Sequence, residues 1–222
     1  MKGKNVLVTG ASRGIGASIS SYCKELGANV FTPTRMEMDL SSIKSINRYV
    51  SNLSTPIDAI INNAGLNILA ELNEIDEKIY NKMLQVNVNG PLNLIRMLVP
   101  RMKKNKYGRI VNISSVYSVC SRHRRIIYSI TKSALNGMTK ALAVELSAYN
   151  ILVNAVAPGF VNTELTRINN TPEELALISN NLPIRRLAEP IEIARVVGFF
   201  ASSLNTYITG QVIFVDGGFT CI

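Results

Sequence analysis

A chain of 222 residues can bury a sizeable core, and length alone argues for one domain, at most two; the absence of any linker makes it one domain spanning 1–222. Hydrophobic residues at 47% and charged ones at 18% exclude a disordered chain, and a formal net charge of +9 asks for an anionic partner. The aromatic residues do not interleave with basic runs, which argues against a nucleic-acid surface, and no apolar run reaches the length of a membrane span.

In chain order, short apolar runs alternate with helical patterns. The run Val6–Val8 leads into 9-TGASRGIG-16 and a helix on which Ile15, Ile19, Tyr22 and Leu26 share a face, with Gly27 placed to end it. Glycines at 10, 14 and 16 permit a tight turn and close approach of the backbone to a pyrophosphate, whose charge faces the helix-start amides. A glycine turn that merely packs is the competing reading. The strand before it and the helix after it favour the cofactor turn.

The run Val30–Thr32 ends in 32-TPTR-35, without the carboxylate that NAD-preferring sites carry about 20 residues beyond the turn. Arg35 and Arg13 instead offer planar guanidinium forks to a 2′-phosphate, so NADP(H) is the expected cofactor; two solvated surface arginines is the alternative. Only Met36, Glu37 and Met38 separate Arg35 from Asp39-Leu40. A crossover between parallel strands needs about ten residues or more, so the third strand of a full doubly wound sheet is expected to be shortened or missing.

The run Ala59–Ile61 meets 62-NNAG-65, and 86-VNVNG-90 puts Asn87 in a helical region. Ile110–Ile113 delivers Ser114 and Ser115 at a strand's C-terminal end, where open parallel sheets bind ligands. After a basic loop, 122-RHRR-125, Tyr128 and Lys132 stand at i,i+4 and project from one helix face. A tyrosine ionises near pH ~10, and a neighbouring cation lowers that value toward what proton transfer needs. The segment from Tyr128 to Leu146 is apolar on more than one face, as a helix buried by the core and by a second subunit would be. Leu152–Val156 follows. Next comes a long excursion over 162–190, read as a substrate loop or lid, in which 171-TPEE-174 has the layout of a capping box. Val212–Val215 is the last run. Continuous apolar runs suit strands covered on both faces, hence an α/β fold with a doubly wound, mostly parallel, Rossmann-type sheet.

These motifs, taken in order, resemble the short-chain dehydrogenase/reductase family, in its single-domain branch that includes the 3-oxoacyl-(acyl-carrier-protein) reductases. The residues that carry the resemblance are TGASRGIG at 9–16, NNAG at 62–65, Asn87, Ser115, Tyr128 with Lys132, Pro158-Gly159 followed by Thr163, and the tail 207-YITGQVIFVDGG-218. The resemblance implies that Ser115 binds a substrate carbonyl, Tyr128 donates the proton, Lys132 holds the nicotinamide ribose and lowers the tyrosine pKa, and Asn87 holds a relay water. It implies cofactor contacts at Gly10, Ser12, Arg13, Gly14, Ile15, Gly16, Arg35, Asp39, Leu40, Asn63, Ala64, Gly65, Pro158, Gly159, Val161 and Thr163, together with Tyr128 and Lys132. The implied reaction is NADPH-dependent reduction of a ketone, foremost a 3-oxoacyl thioester, by a homodimer or homotetramer joined along the Tyr128–Leu146 helix. A keto-sugar nucleotide or another small keto compound is the runner-up substrate, and a catalytically idle NADP(H)-binding sensor is the alternative from another class.

No metal is expected, because a lone histidine and three scattered cysteines, Cys23, Cys120 and Cys221, cannot build a His-based site; unpaired cysteines also fit a cytoplasmic protein. The four residues 122-RHRR-125 depart from the family's usually small or neutral loop. They border the expected pocket, either to recognise an anionic group or as a solvated loop.

Overall fold

The computed structural model describes residues 1–221. Six strands form one sheet in the order β2-β1-β3-β4-β5-β6: β1 Asn5–Val8, β2 Asn29–Phe31, β3 Ala59–Asn62, β4 Gly108–Ile113, β5 Ile151–Pro158 and β6 Val212–Val215. All neighbours pair in parallel, with Val6 opposite both Val30 and Ala59, Ile60 opposite Ile110, and Ile110 opposite Val153. The strand order reverses at β1, so the crevice beyond the C-terminal ends of β1 and β3 is the switch point where such sheets bind ligands.

Alternation along the strands divides the core in two. Leu7, Ile60 and Ile110 face one side and pack with α2 (Ile43–Ser51), α4 (Gly90–Asn105) and the end of α5 (Ile126–Leu146) through Ile46, Leu94, Leu98 and Leu146. Val6, Val8, Ile61 and Val111 face the other and pack with α1 (Gly14–Glu25) and α8 (Pro190–Ala201) through Ile19, Cys23, Ile193 and Val197. The inner strands β1, β3, β4 and β5 are thus covered on both faces, which is why their residues read as continuous apolar runs. The helix α3 (Glu77–Leu84) continues through a π-helical turn at Gln85–Asn89 into α4.

The edge beside β2 follows the expectation. Among the described residues no strand lies between Phe31 and α2, and β2 itself has three residues at the sheet's margin. Residues 162–190 do acquire local order, in α6 (Glu164–Ile168) and α7 (Pro172–Asn181). At α7 the Thr171 side chain accepts a hydrogen bond from Glu174 N while Thr171 N donates to the Glu174 carboxylate, which is the capping box. Among the described residues no helix is long and apolar enough to cross a membrane, no group of three or more His, Cys, Asp or Glu could hold a metal ion, and the three cysteines are free.

Candidate active site

The turn after β1 is bound to the turn after β3. Thr9 Oγ1 accepts hydrogen bonds from Asn63 N and Ala64 N, both at 3.0 Å, and Asn63 Nδ2 donates to the carbonyls of Thr9 and Gly10 at 3.0 Å. Gly10 has a left-handed backbone (φ +65°), and a Cβ there would lie 2.8 Å from Ala64 Cα. At Gly16 a Cβ would run into Gly10 O and the Asn63 amide. Only glycine allows these two turns to close on each other. Beyond them α1 starts at Gly14 without a side-chain cap and without an acidic residue in its first turn, leaving its amides open to an anion.

A cavity of about 500 Å³ runs from this turn across the C-terminal ends of the strands. Its wall contains Gly10, Ser12, Arg13, Gly14, Ile15, Gly16, Asn63, Ala64, Gly65, Ser115, Tyr128, Lys132, Pro158, Gly159, Val161 and Thr163. Three of the residues expected at a cofactor lie outside it. Arg35 pairs instead with Asp39 four residues on (3.3 Å), Asp39 also accepts from Ser41, and Leu40 is buried in the core. Arg13 is in the wall but pairs with Glu164 of α6 at 2.9 Å.

Ser114 and Ser115 directly follow strand β4 and are both buried. Ser115 starts a short 3₁₀ turn, its Oγ accepting from Tyr117 N at 3.2 Å, while Ser114 Oγ donates to Asn136 Oδ1 at 2.7 Å and so ties β4 to α5. Lys132 is buried, and its ammonium donates to Ile113 O at 2.6 Å and sits 5.4 Å from the centre of the Tyr128 ring. Asn87 lies behind the wall in the π-helical turn: its Nδ2 donates to Leu66 O (2.8 Å) and Thr131 Oγ1 (3.1 Å), and its Oδ1 accepts from Leu66 N (2.7 Å). It therefore fixes the strand-end loop against α5.

The electrostatics differ from the simple expectation at Tyr128. Burial pushes its pKa up to about 12, and the Ser115 hydroxyl and the Arg125 charge oppose that rise without cancelling it. Burial also brings the Lys132 ammonium down to about 8.

The basic loop resolves into two parts. Arg122 lies 4.0 Å from Glu174 and donates to Asn170 Oδ1, His123 Nε2 lies 3.9 Å from Glu71, and Arg124 lies 3.6 Å from Glu74. The chain then turns through a left-handed residue at Arg124 (φ +65°), and Arg125 enters the cavity wall with 6% of its surface exposed. Tyr117, Asn67 and Phe160 also line the cavity and are among the residues that the sequence did not single out. A buried tyrosine in a three-residue turn carries no periodic signal. Arg125, three residues before Tyr128, does carry one, since i and i+3 share a helix face.

Comparison with known proteins agrees with this geometry. A family profile described as Enoyl-(Acyl carrier protein) reductase matches residues 2–220. The chain is 37% identical to the 3-oxoacyl-[acyl-carrier-protein] reductase FabG of Aquifex aeolicus, covering 98% of each protein. It is 35% identical to the uncharacterized oxidoreductase YmfI of Bacillus subtilis, covering 98% of this chain and 99% of that one. In three dimensions it resembles a protein from Beutenbergia cavernae, provisionally assigned as an NAD(P)-dependent gluconate 5-dehydrogenase and solved with bound NADP. The TM-score is 0.95 at 29% identity, over 100% of this chain and 98% of the other. A glycine turn at the switch point, a Ser–Tyr–Lys cluster in the same cavity and a match over nearly the whole length agree: the chain belongs to the short-chain dehydrogenase/reductase family of oxidoreductases.

Proposed function

We propose that this protein reduces a ketone to a secondary alcohol with NADPH, Tyr128 supplying the proton. The observation that carries the proposal is the convergence of Ser115, Tyr128 and Lys132 in one cavity with the open N-terminus of α1. The close glycine contacts and the uncapped helix start fit a dinucleotide pyrophosphate, which Gly10, Ser12, Gly14, Ile15 and Gly16 would hold. Asn63, Ala64 and Gly65 would border the adenosine half, and Pro158, Gly159, Val161 and Thr163 the nicotinamide half. Arg13 and Arg35 would turn from their carboxylate partners to a 2′-phosphate; the absence of a carboxylate in 32-TPTR-35 and the NADP in the Beutenbergia structure support that choice. Asp39, bound to Arg35 and Ser41, and Leu40, in the core, are not needed for it. When bound, NADPH supplies a hydride to the carbonyl carbon.

The chain's own residues do the rest. The Ser115 hydroxyl holds the carbonyl oxygen. Tyr128 gives its proton to that oxygen as negative charge develops there, and with its pKa near 12 it keeps the proton until then. A developing alkoxide is a far stronger base than the phenolate and still takes the proton downhill. The Lys132 ammonium, 5.4 Å from the ring, opposes the phenolate charge left behind. Asn87 acts as a positioning residue by holding the Leu66 backbone and Thr131 in register. Residues 162–190 form a lid, clasped by Arg122 to Glu174, that excludes water. A homo-oligomer joined along α5 belongs to the same reading, supported by Ile126, Ile130 and Val144, which that helix leaves exposed.

The curated relatives named as 3-oxoacyl reductases support a 3-oxoacyl skeleton as substrate, first to be assayed as a thioester. The test is coenzyme oxidation with the neutral N-acetylcysteamine thioester of acetoacetate, comparing NADPH with NADH. Turnover favouring NADPH by about tenfold or more, the size of one charge-assisted phosphate contact, is expected. No oxidation of either coenzyme with any short ketone would overturn the reading.

A further inference from the structure

Among the described residues five buried side-chain polar atoms lack a hydrogen-bond partner, and three of them belong to residues in the wall of the cavity just described: Asn67 Oδ1, Tyr117 OH and Arg125 Nη1. Native interiors tolerate few such atoms, so three in one place point to a ligand that satisfies them. Arg125 matters most because it carries charge. It is 94% buried by its 6% exposure, it makes no ion pair, and no side-chain hydrogen bond leaves its guanidinium among the described residues. Among the described residues its one aromatic ring contact is with Tyr117, whose centre lies 5.6 Å from its central carbon. Burying an unpaired cation is costly, and an anion brought to it offsets that cost as a neutral group cannot.

We propose that Arg125, with the Tyr117 hydroxyl beside it, recognises a carboxylate, so that the preferred substrate is a short oxo acid, its ketone within a few bonds of a free carboxylate, rather than the neutral ester or thioester of the same skeleton. The inference rests on the reductase reading and names the group at the far end of its substrate. Its position follows from the packing: Tyr117 stands edge-on to the Tyr128 ring at 6.2 Å between centres, and the Arg125 charge is felt at the Tyr128 hydroxyl. This spacing lets one small molecule place a group at Arg125 and a carbonyl at Tyr128. The charge balance favours a carboxylate over the phosphates of a nucleotide. One guanidinium and one phenol are available inside an aromatic wall that Phe160 completes, and Arg122, the nearest other cation of the loop, is already engaged by Glu174 and Asn170. The planar fork of arginine matches the two oxygens of a carboxylate. The carboxylate is not consumed; hydride and proton add across the ketone as before.

The test compares three acids (2-oxobutanoate, acetoacetate and 4-oxopentanoate), each beside its methyl ester, as substrates for the NADPH-loaded protein. In at least one pair the acid is expected to exceed the ester in kcat/KM by about 10- to 100-fold, the worth of a hydrogen bond to a charged group. Arg125→Gln collapses that ratio and Arg125→Lys restores part of it. Because the Arg125 charge also acts on Tyr128, the variant alters both members of a pair, and the acid-to-ester ratio isolates the recognition step. The wild-type ratio needs no variant, so a poorly folding Arg125→Gln leaves the proposal testable. Esters or thioesters turned over as well as the acids overturn the carboxylate assignment and leave the reductase reading standing. Failure to bind NADPH, or binding without turnover of any member of the panel, overturns both.

Discussion

At Tyr128 burial and charge pull in opposite directions, and burial is the larger: a pKa near 12 results in spite of Ser115 and Arg125. The same burial works on Lys132 with the opposite sign, because there the charged form is the protonated one. The two shifts leave a signature in stability. Below pH 8 Lys132 is protonated in both folded and unfolded chains, and the cost of burying its charge is paid in full. Between about pH 8 and its ordinary 10.5 the unfolded chain holds more protons, so stability rises with pH. Tyr128 does the reverse between its ordinary 10.0 and about 12, where the folded chain holds the extra proton and stability falls. Urea unfolding of wild type and Lys132→Met across this range should show the wild type gaining roughly 3 kcal/mol relative to the variant from about pH 8 to about 10.5. Parallel curves would mean that Lys132 keeps its ordinary pKa. The sequence makes Tyr128 and Lys132 legible as a pair, through their spacing. It does not make legible which force sets their pKa values, because depth below the surface is a property of the packed loops and not of the spacing.

Among the elements, the turn from β1 into α1 is the one whose geometry tolerates least. A methyl group at Gly16 would meet the Gly10 carbonyl and the Asn63 amide, the two groups that join the β1 and β3 turns. Gly16→Ala should weaken NADPH binding by about 10- to 100-fold, the cost of roughly 1–3 kcal/mol of overpacking, while the circular dichroism spectrum stays native. Unchanged affinity by titration calorimetry would show that the turn opens freely and does not shape the cofactor site. This element could be read from the sequence because glycine spacing, strand and helix all lie within a dozen residues. The α7 helix was legible for the same reason, its Thr171–Glu174 cap being local. Tyr117 and Asn67 were not, since their place in the cavity depends on the packing of β4, α5 and the loop after β3, contacts that no local pattern encodes. The basic loop was legible only as a block: that Arg122, His123 and Arg124 find acidic partners while Arg125 turns inward follows from Glu71, Glu74 and Glu174, remote in sequence.

In the whole molecule, the sheet order places the ends of β1, β3 and β4 side by side, so that the glycine turn, Ser115 and the α5 pair share one cavity although the sequence separates them widely. The sequence foretold the parallel sheet through its continuous apolar runs and the trimmed edge through the short Arg35-to-Asp39 connection, both of which depend on chain length and hydrophobicity alone. Buried polar links hold the frame rigid around that cavity. Asn62 donates to Asn112, which donates to Thr139 of α5, and the Arg109 guanidinium donates to the carbonyls of Gly108, Asn150, Ser202 and Asn205. On the proposed function, this frame holds Tyr128 as the proton donor of a ketone reductase. The most direct measurement is NADPH oxidation and NADPH affinity in wild type and Tyr128→Phe, with a short 3-oxo substrate. A loss of about 10²- to 10⁴-fold in kcat is expected, with affinity for NADPH nearly preserved. A Phe variant that turns over at the wild-type rate would contradict it.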